Sequence, residues 1–173
     1  AKGNVIVEIG VTEQGQGAEA VVAQCAATAL GVSMDKIKVI AGDTDITPYG
    51  GGTWGSRAAG IGGEAAVQAG KALRQNIVEV AGIMLQCDPS TLDIRENNVV
   101  DLADGNERMA LAEVGRVCSS RPDTLPKDYQ SELVVTRHYV PKQFPFAFTN
   151  GVQGCYLEVD TNTGFITFKK YVV

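Results

Sequence analysis

Apolar side chains are spaced differently along successive stretches of the chain, and each spacing predicts one type of element. Apolar and polar residues alternate over 4–10 and again over 36–41, which predicts two strands. Between them, apolar residues recur every four positions over 18–30, which predicts a helix that ends at Gly31. A spacing of three to four residues over 66–84 predicts a longer amphipathic helix. The first half of the chain therefore reads as strand, helix, strand, loop, helix.

The second half is richer in short strand patterns. Two short strands are predicted around a turn at 96–98, followed by a short helix over 110–118 and a proline-containing loop over 119–129. Alternating residues over 132–140 predict a further strand. The C-terminal stretch 151–173 predicts a hairpin in which DTNTG forms the turn. The order of elements as a whole predicts an α/β fold, in which helices pack on a mixed sheet.

The composition is typical of a globular protein with one sizeable core. Hydrophobic residues make up 45% of the 173 residues and charged residues 20%. A formal net charge of -5, without a cluster of lysine or arginine, argues against nucleic-acid binding. No apolar run approaches the roughly 18 residues of a membrane span, and the N-terminus lacks the layout of a signal peptide. We therefore expect a cytoplasmic location.

The four cysteines, Cys25, Cys87, Cys118 and Cys155, are far apart in the sequence and form no CxxC pair. This spacing argues against a zinc site or an iron–sulfur cluster held within the chain. Most of the four lie in apolar sequence surroundings, where a free cysteine behaves as a small hydrophobic residue. We expect buried thiols, with disulfides as the alternative.

A glycine-rich segment over 42–63 joins the second predicted strand to the second predicted helix. It contains no run of large apolar residues, and a long loop without secondary structure of its own is typically functional or disordered. Glycines allow backbone amides to approach a ligand closely, and Thr53, Ser56 and Arg57 add side-chain donors. The segment therefore predicts an anion cradle for a phosphate or a phosphate-bearing cofactor.

A shorter turn, Gly15-Gln16-Gly17, joins the first strand to the first helix. Free amides and the dipole at a helix N-terminus favour a negatively charged group, and the Gln16 side chain adds a donor and an acceptor. The turn has neither the GxGxxG pattern nor the lysine of a P-loop, so a turn without a function is the alternative. Because each loop follows a strand, we expect both at the same edge of one sheet, with their amides converging on a ligand.

Four other residues each allow two interpretations. Asp43 and Asp45 form a DxD pair that suits either a divalent ion or a local turn, and the absence of a distal glutamate at calcium-loop spacing favours the turn. His138, the only histidine, lies near no obvious catalytic partner in the sequence, which favours a structural role. Trp54 either packs against a neighbouring element or lines the mouth of a pocket.

Three motifs follow one another along the chain, TEQGQG, GDT and GTWGSR, and the hairpin GVQGCYLEVDTNTGFITFKKYVV comes after them. In this order and at these spacings they resemble the second molybdopterin-binding domain of the large subunit of molybdenum hydroxylases. That family includes xanthine dehydrogenase, aldehyde oxidoreductase and aerobic carbon monoxide dehydrogenase. The similarity extends over nearly the whole chain, and the three motifs together are specific although the GQG turn alone is not.

The resemblance implies that 1–173 is a single fragment or subunit, an incomplete lobe of the molybdopterin-binding domain. Within it, 1–88 is the cofactor-cradling β-α-β-α half and 89–173 is the strand-rich half with the C-terminal hairpin. In the family the catalytic glutamate lies beyond this hairpin, so no catalytic residue is expected in this chain. The isolated chain is accordingly expected to be inactive.

The cofactor implied by the resemblance is a molybdenum pyranopterin, with the cytosine dinucleotide form as the common bacterial variant. Its own dithiolene sulfurs hold the metal, so no residue of the chain is expected to bind the metal directly. The residues that match the family's two cofactor loops, and that we expect to contact the cofactor, are Gly15, Gln16, Gly17, Thr53, Trp54, Gly55, Ser56, Arg57, Ala58 and Ala59.

The implied function is the cofactor-binding part of an oxidoreductase that hydroxylates an aldehyde, an N-heterocycle or a similar substrate with oxygen from water. The implied partners are the remaining molybdopterin-binding segments, and iron–sulfur and flavin (FAD) subunits or domains. Two alternatives come from the residues alone. One is a non-enzymatic phosphate- or nucleotide-binding module, and the other is a structural subunit that completes a partner chain.

Overall fold

The structure, a computed structural model, describes residues 3–143, 148 and 150–173. Its strands divide over three small sheets, one parallel pair and two antiparallel sheets. The described helices and strands, in chain order, are β1 (Val5–Ile9), α1 (Ala18–Leu30), β2 (Ile37–Ala41), α2 (Gly63–Leu85), β3 (Leu92–Arg95), β4 (Asn98–Asp101), β5 (Glu107–Ala110), α3 (Leu111–Ser120), β6 (Gly154–Val159) and β7 (Ile166–Val172). The predicted α/β class is confirmed, with several small sheets in place of one larger sheet.

Strands β1 and β2 pair in parallel and are joined by helix α1, which makes a β-α-β unit. The helix ends where predicted, because Gly31 adopts a left-handed φ of 86° and its amide donates to the Ala27 carbonyl at 2.8 Å. The amide of Val32 also returns to Ala27, at 3.0 Å. The chain therefore leaves the helix at Gly31 and continues into β2.

Helices α1 and α2 pack closely because small residues face each other between them. A Cβ at Gly70 would lie 2.9 Å from the Cβ of Ala29 and 3.3 Å from the carbonyl oxygen of Ala26. The larger of the two hydrophobic core clusters is formed mainly by residues of α1, α2, β3, β4 and α3. Its most deeply buried members, by relative exposure, are Leu30, Val80, Ala81, Ile94, Val99 and Val114.

Strands β3 and β4 form the predicted antiparallel pair, and Glu96 and Asn97 make its turn with left-handed φ values of 47° and 71°. The Asn97 side chain ties this turn to the end of α1, since its Oδ1 accepts from the Ser33 amide at 3.0 Å. The sequence analysis missed strand β5, which pairs with β4 across an irregular register. Its polar sequence, ERMA, carries no clear alternation, and pairing with β4 defines it instead.

The strand predicted over 132–140 is wrong, because the structure has no regular element there. Alternate side chains in this stretch are partly buried, and Leu133 packs against the larger core cluster while Val134 is 87% exposed. The stretch therefore has the burial period of a strand, but within the described residues no neighbouring strand pairs with its backbone. The predicted proline-containing connection after it, 141–148, falls partly on residues 144–147, which lie outside the described residues.

The C-terminal hairpin is confirmed as β6 and β7, an antiparallel pair whose turn is closed by the amide of Gly164 donating to the Asp160 carbonyl at 2.7 Å. Every residue of both strands is exposed. One face is nonetheless apolar, because the Leu157–Phe168 and Val159–Ile166 pairs lie on the same side. The hairpin thus presents an exposed apolar face.

All four cysteines are free thiols and not disulfides, as expected, but the expectation that they are buried is wrong. Cys25 and Cys118 are partly buried, whereas Cys87 and Cys155 are exposed. Cys87 directly follows the left-handed residue that ends α2, and Cys155 lies on the exposed hairpin, so neither position is covered by a core element.

Among the described residues, no helix combines the length and apolar character that a membrane crossing requires.

Candidate cofactor-binding site

The two glycine loops leave the sheet from the same edge, as expected from the sequence. In the parallel pair Ile9 lies opposite Ala41, so the loop after β1 and the loop after β2 begin side by side. This edge, at the carboxyl ends of parallel strands, is where α/β folds commonly place ligands. We call 10–17 the first loop and 42–57 the second loop.

Side-chain hydrogen bonds join the two loops across a separation of about forty residues in sequence. The hydroxyl of Thr53 accepts from the Thr12 amide at 3.0 Å and donates to the Thr12 carbonyl at 2.7 Å. The side-chain Nε2 of Gln14 donates to the Thr53 carbonyl at 3.0 Å. Thr53, predicted as a cofactor contact, therefore also works as the link that sets the distance between the loops.

The two loops also cross in direct backbone contact at a pair of glycines. A Cβ at Gly10 would lie 2.4 Å from the Gly50 nitrogen, and a Cβ at Gly50 would lie 2.6 Å from the Gly10 Cα. Just beyond the crossing, the Gly52 amide donates to the Gly10 carbonyl at 3.2 Å. Only residues without a side chain fit at this crossing, so Gly10 and Gly50 allow the two backbones to lie in contact.

The Gly15-Gln16-Gly17 turn has left-handed backbone at both glycines, with φ values of 87° and 84°. The Gln16 side chain folds back on its own loop: its Oε1 accepts from the Gln14 amide at 2.6 Å and its Nε2 donates to the Thr12 carbonyl at 3.3 Å. Gln16 therefore fixes the turn internally, in addition to any contact it makes with a ligand.

The amides predicted to be free at the start of α1 are occupied by Glu13, a residue that the sequence analysis did not single out. One carboxylate oxygen accepts from the amides of Gly15 and Gly17, both at 2.9 Å, and from that of Gln14 at 3.2 Å. The other accepts from the Glu19 amide at 3.0 Å. The expectation of free amides at this helix end is therefore wrong for Gly15 and Gly17.

The environment of Glu13 favours its ionised form. Donation from the Glu19 amide, and then from that of Gly17, holds the pKa of the Glu13 carboxyl below its ordinary value. The positive end of the α1 dipole acts in the same direction. The signal that could have pointed to it is the preference for a carboxylate near a helix N-terminus, since Glu13 is the acidic residue of the TEQGQG motif and lies four residues before the N-cap Gly17.

Arg57 organises the glycine run of the second loop. Its Nη1 donates to the carbonyls of Gly50 and Gly52 at 3.0 and 3.2 Å. Its guanidinium carbon lies 5.6 Å from the centroid of the Trp54 ring, a cation–π contact, and the indole Nε1 donates to the Gly51 carbonyl at 3.1 Å. Trp54 is 60% exposed. Packing within its own loop is thus one role of Trp54, and its contact with a ligand stays a prediction.

The remaining predicted contact residues lie where the loop enters α2. Gly55 and Ser56 are exposed with left-handed φ values of 58° and 59°. Ala58 is buried in the smaller core cluster, while Ala59 is exposed. The chain turns into α2 through a π-helical turn over Ala58–Gly62, a feature often found at functional sites. The loop over 42–63 therefore has regular structure at its end, contrary to the expectation of none.

Of the two interpretations of the Asp43 and Asp45 pair, the local turn is confirmed. Its carboxylate accepts from the Asp45 amide at 3.0 Å, and its carbonyl accepts from the Thr47 amide at 2.7 Å. In the described part of the chain, no three histidine, cysteine, aspartate or glutamate side chains are grouped so as to hold a metal ion. His138 is exposed. A polar cavity of about 500 Å³ lies elsewhere, beside the Arg74–Asp93 ion pair on the outer side of α2.

Replacing Thr53 with valine is expected to lower the free energy of unfolding by about 1–3 kcal/mol, because the Thr12 amide and carbonyl lose their shared partner at a partly buried site. Valine keeps the shape of the side chain. Thr53→Ser keeps the hydroxyl and is the matched control. Urea unfolding of both variants, followed by circular dichroism, measures the difference, and equal midpoints for valine and serine would contradict the bridging role.

Comparison with known proteins places the chain as a whole in one family. The family model described as "Molybdopterin cofactor-binding domain" matches residues 1–173. The chain is 32% identical over 168 residues to the nicotine 6-hydroxylase large subunit of Paenarthrobacter nicotinovorans, covering 97% of this chain and 20% of that protein. It is 28% identical over 169 residues to the carbon monoxide dehydrogenase large chain of Hydrogenophaga pseudoflava, covering 98% of this chain and 20% of that one.

The fold leads to the same group of enzymes. The solved structure of quinoline 2-oxidoreductase from Pseudomonas putida 86 superposes with a TM-score of 0.76 and 28% sequence identity, over 98% of this chain and 21% of that one. The chain thus spans about one fifth of the length of the relatives it matches. Since a single family model matches all 173 residues, the chain belongs to the molybdopterin cofactor-binding domain family of the molybdenum hydroxylases.

Proposed function

We propose that the chain forms part of the cofactor cradle in the large subunit of a molybdenum hydroxylase. The enzyme would hydroxylate an aldehyde, an N-heterocycle or a similar small molecule with oxygen from water. The observation that carries the proposal is the pair of glycine loops, joined through Thr53 at one sheet edge, in a chain of this family. The relatives named as nicotine 6-hydroxylase and quinoline 2-oxidoreductase favour an N-heterocyclic substrate.

The residues at the sheet edge fit a pterin-type cofactor held through backbone groups. Apart from chain neighbours, no atom of the described residues lies within 4 Å of a Cβ built on Gly15 or Gly17, so this side of the turn is open to a ligand, while Glu13 occupies both backbone amides. The exposed Gly55 and Ser56 offer backbone and hydroxyl donors on the second loop. When bound, the molybdenum pyranopterin supplies the redox centre, and these residues bind and orient it.

The geometry divides the predicted contact residues into two groups. Gly15, Gln16, Gly17, Trp54, Gly55, Ser56 and Ala59 have exposed or partly exposed surface at the sheet edge and are proposed to touch the cofactor. Thr53, Arg57 and Ala58 are partly or fully buried. We propose that these three act mainly by holding the loops in place, through the Thr12 bridge, the Gly50 and Gly52 carbonyls and the core contact described above.

The partners are proposed to be the remaining molybdopterin-binding segments of the large subunit, together with iron–sulfur and flavin (FAD) subunits or domains. The relatives, which are named as large subunits or chains, extend over about five times the length of this chain. The apolar face of the β6–β7 hairpin suits packing against the rest of the large subunit, because an isolated two-stranded hairpin is marginally stable in water. A cytoplasmic location is part of the same proposal.

Analysis of the complex that contains this chain tests the proposal. The purified complex is expected to carry molybdenum by elemental analysis and, after acid release and oxidation, a fluorescent pterin. Release of cytidine monophosphate on hydrolysis would identify the cytosine dinucleotide form. An intact, folded complex without molybdenum and pterin would overturn the proposal and favour a structural or nucleotide-binding role.

The site assignment is tested by replacing Gln16 and Ser56 together with alanine. Both residues are exposed, so the fold is expected to persist while the molybdenum content of the complex falls by about tenfold. Replacing the exposed Gln75 and Ser120 with alanine gives a matched control on α2 and α3. Unchanged molybdenum content in the first variant would remove these residues from the site.

A further inference from the structure

We propose that Glu13 is a positioning residue for the cofactor cradle, an inference that rests on the proposed function. Its carboxylate is the centre around which the Gly15-Gln16-Gly17 turn is built, and it shapes the first loop for the cofactor without being a contact residue itself. Neither the predicted contact residues nor the three sequence motifs gave it a role of its own.

The contacts of Glu13 surround its carboxylate with backbone donors. Both oxygens are used, and the four donating amides span residues 14–19, from the start of the turn into the first turn of α1. Three of these bonds are 3.0 Å or shorter. A carboxylate hydrogen-bonded to several amides resists rearrangement, because each charge-assisted bond is stronger than a neutral one.

The turn needs such a centre because its backbone is unusual. Gly15 and Gly17 both adopt left-handed φ values, and glycine loses more conformational entropy than other residues when it is ordered. The amides of both glycines point to the Glu13 carboxylate. Without it, the amides would have water as their partner and the turn would sample other conformations.

The same carboxylate indirectly fixes the distance between the two loops. Glu13 accepts from the Gln14 amide, and the Gln14 side chain donates to the Thr53 carbonyl on the second loop. The Gln16 side chain accepts from that same Gln14 amide. A change at Glu13 is therefore expected to alter the Gln16 side chain and the loop-to-loop contact together, which is the geometry that a cofactor bound between the loops requires.

Glu13 is itself exposed, so its replacement leaves no cavity in the core. This separates the proposed role from a general contribution to stability. Loss of the carboxylate is expected to reduce cofactor retention while the thermal midpoint of the large subunit stays close to that of the wild type.

The experiment uses the complete enzyme complex with Glu13→Gln in its large subunit. Glutamine has the size of glutamate, but its NH₂ group would face a backbone N–H. Glu19→Gln is the matched control. It also removes one negative charge near the start of α1, but it leaves the Glu19 amide free to donate to the Glu13 carboxylate. After dialysis, Glu13→Gln is expected to retain about tenfold less molybdenum and pterin than wild type, and Glu19→Gln to retain wild-type amounts.

Two further variants distinguish positioning from a structural effect. Glu13→Asp keeps the charge, but its side chain is one methylene shorter and reaches fewer of the amides, so intermediate retention is expected. In Glu13→Ala, formate but not chloride at the same concentration is expected to restore retention, because a small carboxylate can occupy the amide-lined space.

Wild-type retention in Glu13→Gln and Glu13→Ala would overturn the inference, as would equal losses in Glu13→Gln and Glu19→Gln. A loss of cofactor that only parallels a lowered thermal midpoint, without rescue by aspartate or formate, would assign Glu13 a structural role instead. A wild-type complex without molybdenum and pterin would be a different result, because it would refute the proposed function.

Discussion

Replacement of Gly31 by alanine is expected to destabilise the chain by about 3–5 kcal/mol, a large fraction of the roughly 5–15 kcal/mol that stabilises a typical domain. Two costs combine at this residue. A Cβ there would lie 2.1 Å from the carbonyl oxygen of Ile94, and the backbone has a left-handed φ of 86°. The atom that the new Cβ would meet is a backbone oxygen, which cannot rotate away as a side chain could. Ile94 lies within β3 and is 1% exposed, so its backbone is also held by the core. Helix α1 and the β3–β4 sheet would have to separate.

Two control variants separate these costs. Gly105→Ala also places alanine at a left-handed φ, 72°, but in open space, and is expected to cost about 1–2 kcal/mol. Gly115→Ala lies within α3 with no neighbouring atom in contact, and is expected to be neutral or to stabilise by up to about 1 kcal/mol. Urea unfolding followed by circular dichroism measures all three. A Gly31→Ala loss no larger than that of Gly105→Ala would show that the contact with Ile94 relaxes easily.

The elements that the sequence predicted correctly are those that local patterns determine. Apolar spacing defines α1 and α2, alternation defines β1 and β2, and Gly31 marks a helix end that only a left-handed residue can make. The meeting of the two glycine loops was also predictable, since parallel strands bring the loops at their carboxyl ends to one edge.

The failures come from interactions that a local pattern does not contain. Residues 132–140 alternate in burial as a strand does, yet a strand requires a partner backbone, and the described residues offer none there. Strand β5 shows the converse, because pairing with β4 makes a strand of a polar sequence. The prediction that the cysteines are buried failed for a similar reason, since apolar neighbours in the sequence do not show whether another element of the fold covers the side chain.

Within the candidate site, the sequence identified the loops but not the internal contacts that shape them. Arg57 was expected to offer donors to a ligand, and its Nη1 instead donates to two carbonyls of its own loop. The amides at the start of α1 were expected to be free, and Glu13 accepts from them. In both cases a polar group meets the nearest unsatisfied backbone group, a demand that is present before any ligand binds.

Replacement of Gly10 by alanine is expected to separate the two loops and to abolish cofactor binding by the complex. The new Cβ would lie 2.4 Å from the Gly50 nitrogen and 2.6 Å from the Pro48 carbonyl oxygen, both of them backbone atoms. Relief requires the loops to move apart, which also strains the hydrogen bond from the Gly52 amide to the Gly10 carbonyl. A stability loss of about 2–4 kcal/mol is expected in the chain. Gly60→Ala, in the π-helical turn that follows the second loop, places its Cβ in open space; it is the control and is expected to retain the cofactor.

Gly50 faces Gly10 across the same crossing, so the contact can be tested from both loops. Gly50→Ala would place its Cβ 2.6 Å from the Gly10 Cα, so it should produce the same separation of the loops. Once one methyl group has separated the backbones, the second meets less resistance. The double variant is therefore expected to lose less stability than the sum of the two single losses, by about 1 kcal/mol or more. Urea unfolding of the four proteins in this cycle measures the coupling. Strictly additive losses would show that the two glycines do not oppose each other across one crossing, and the site would then lack the backbone contact that holds its loops together.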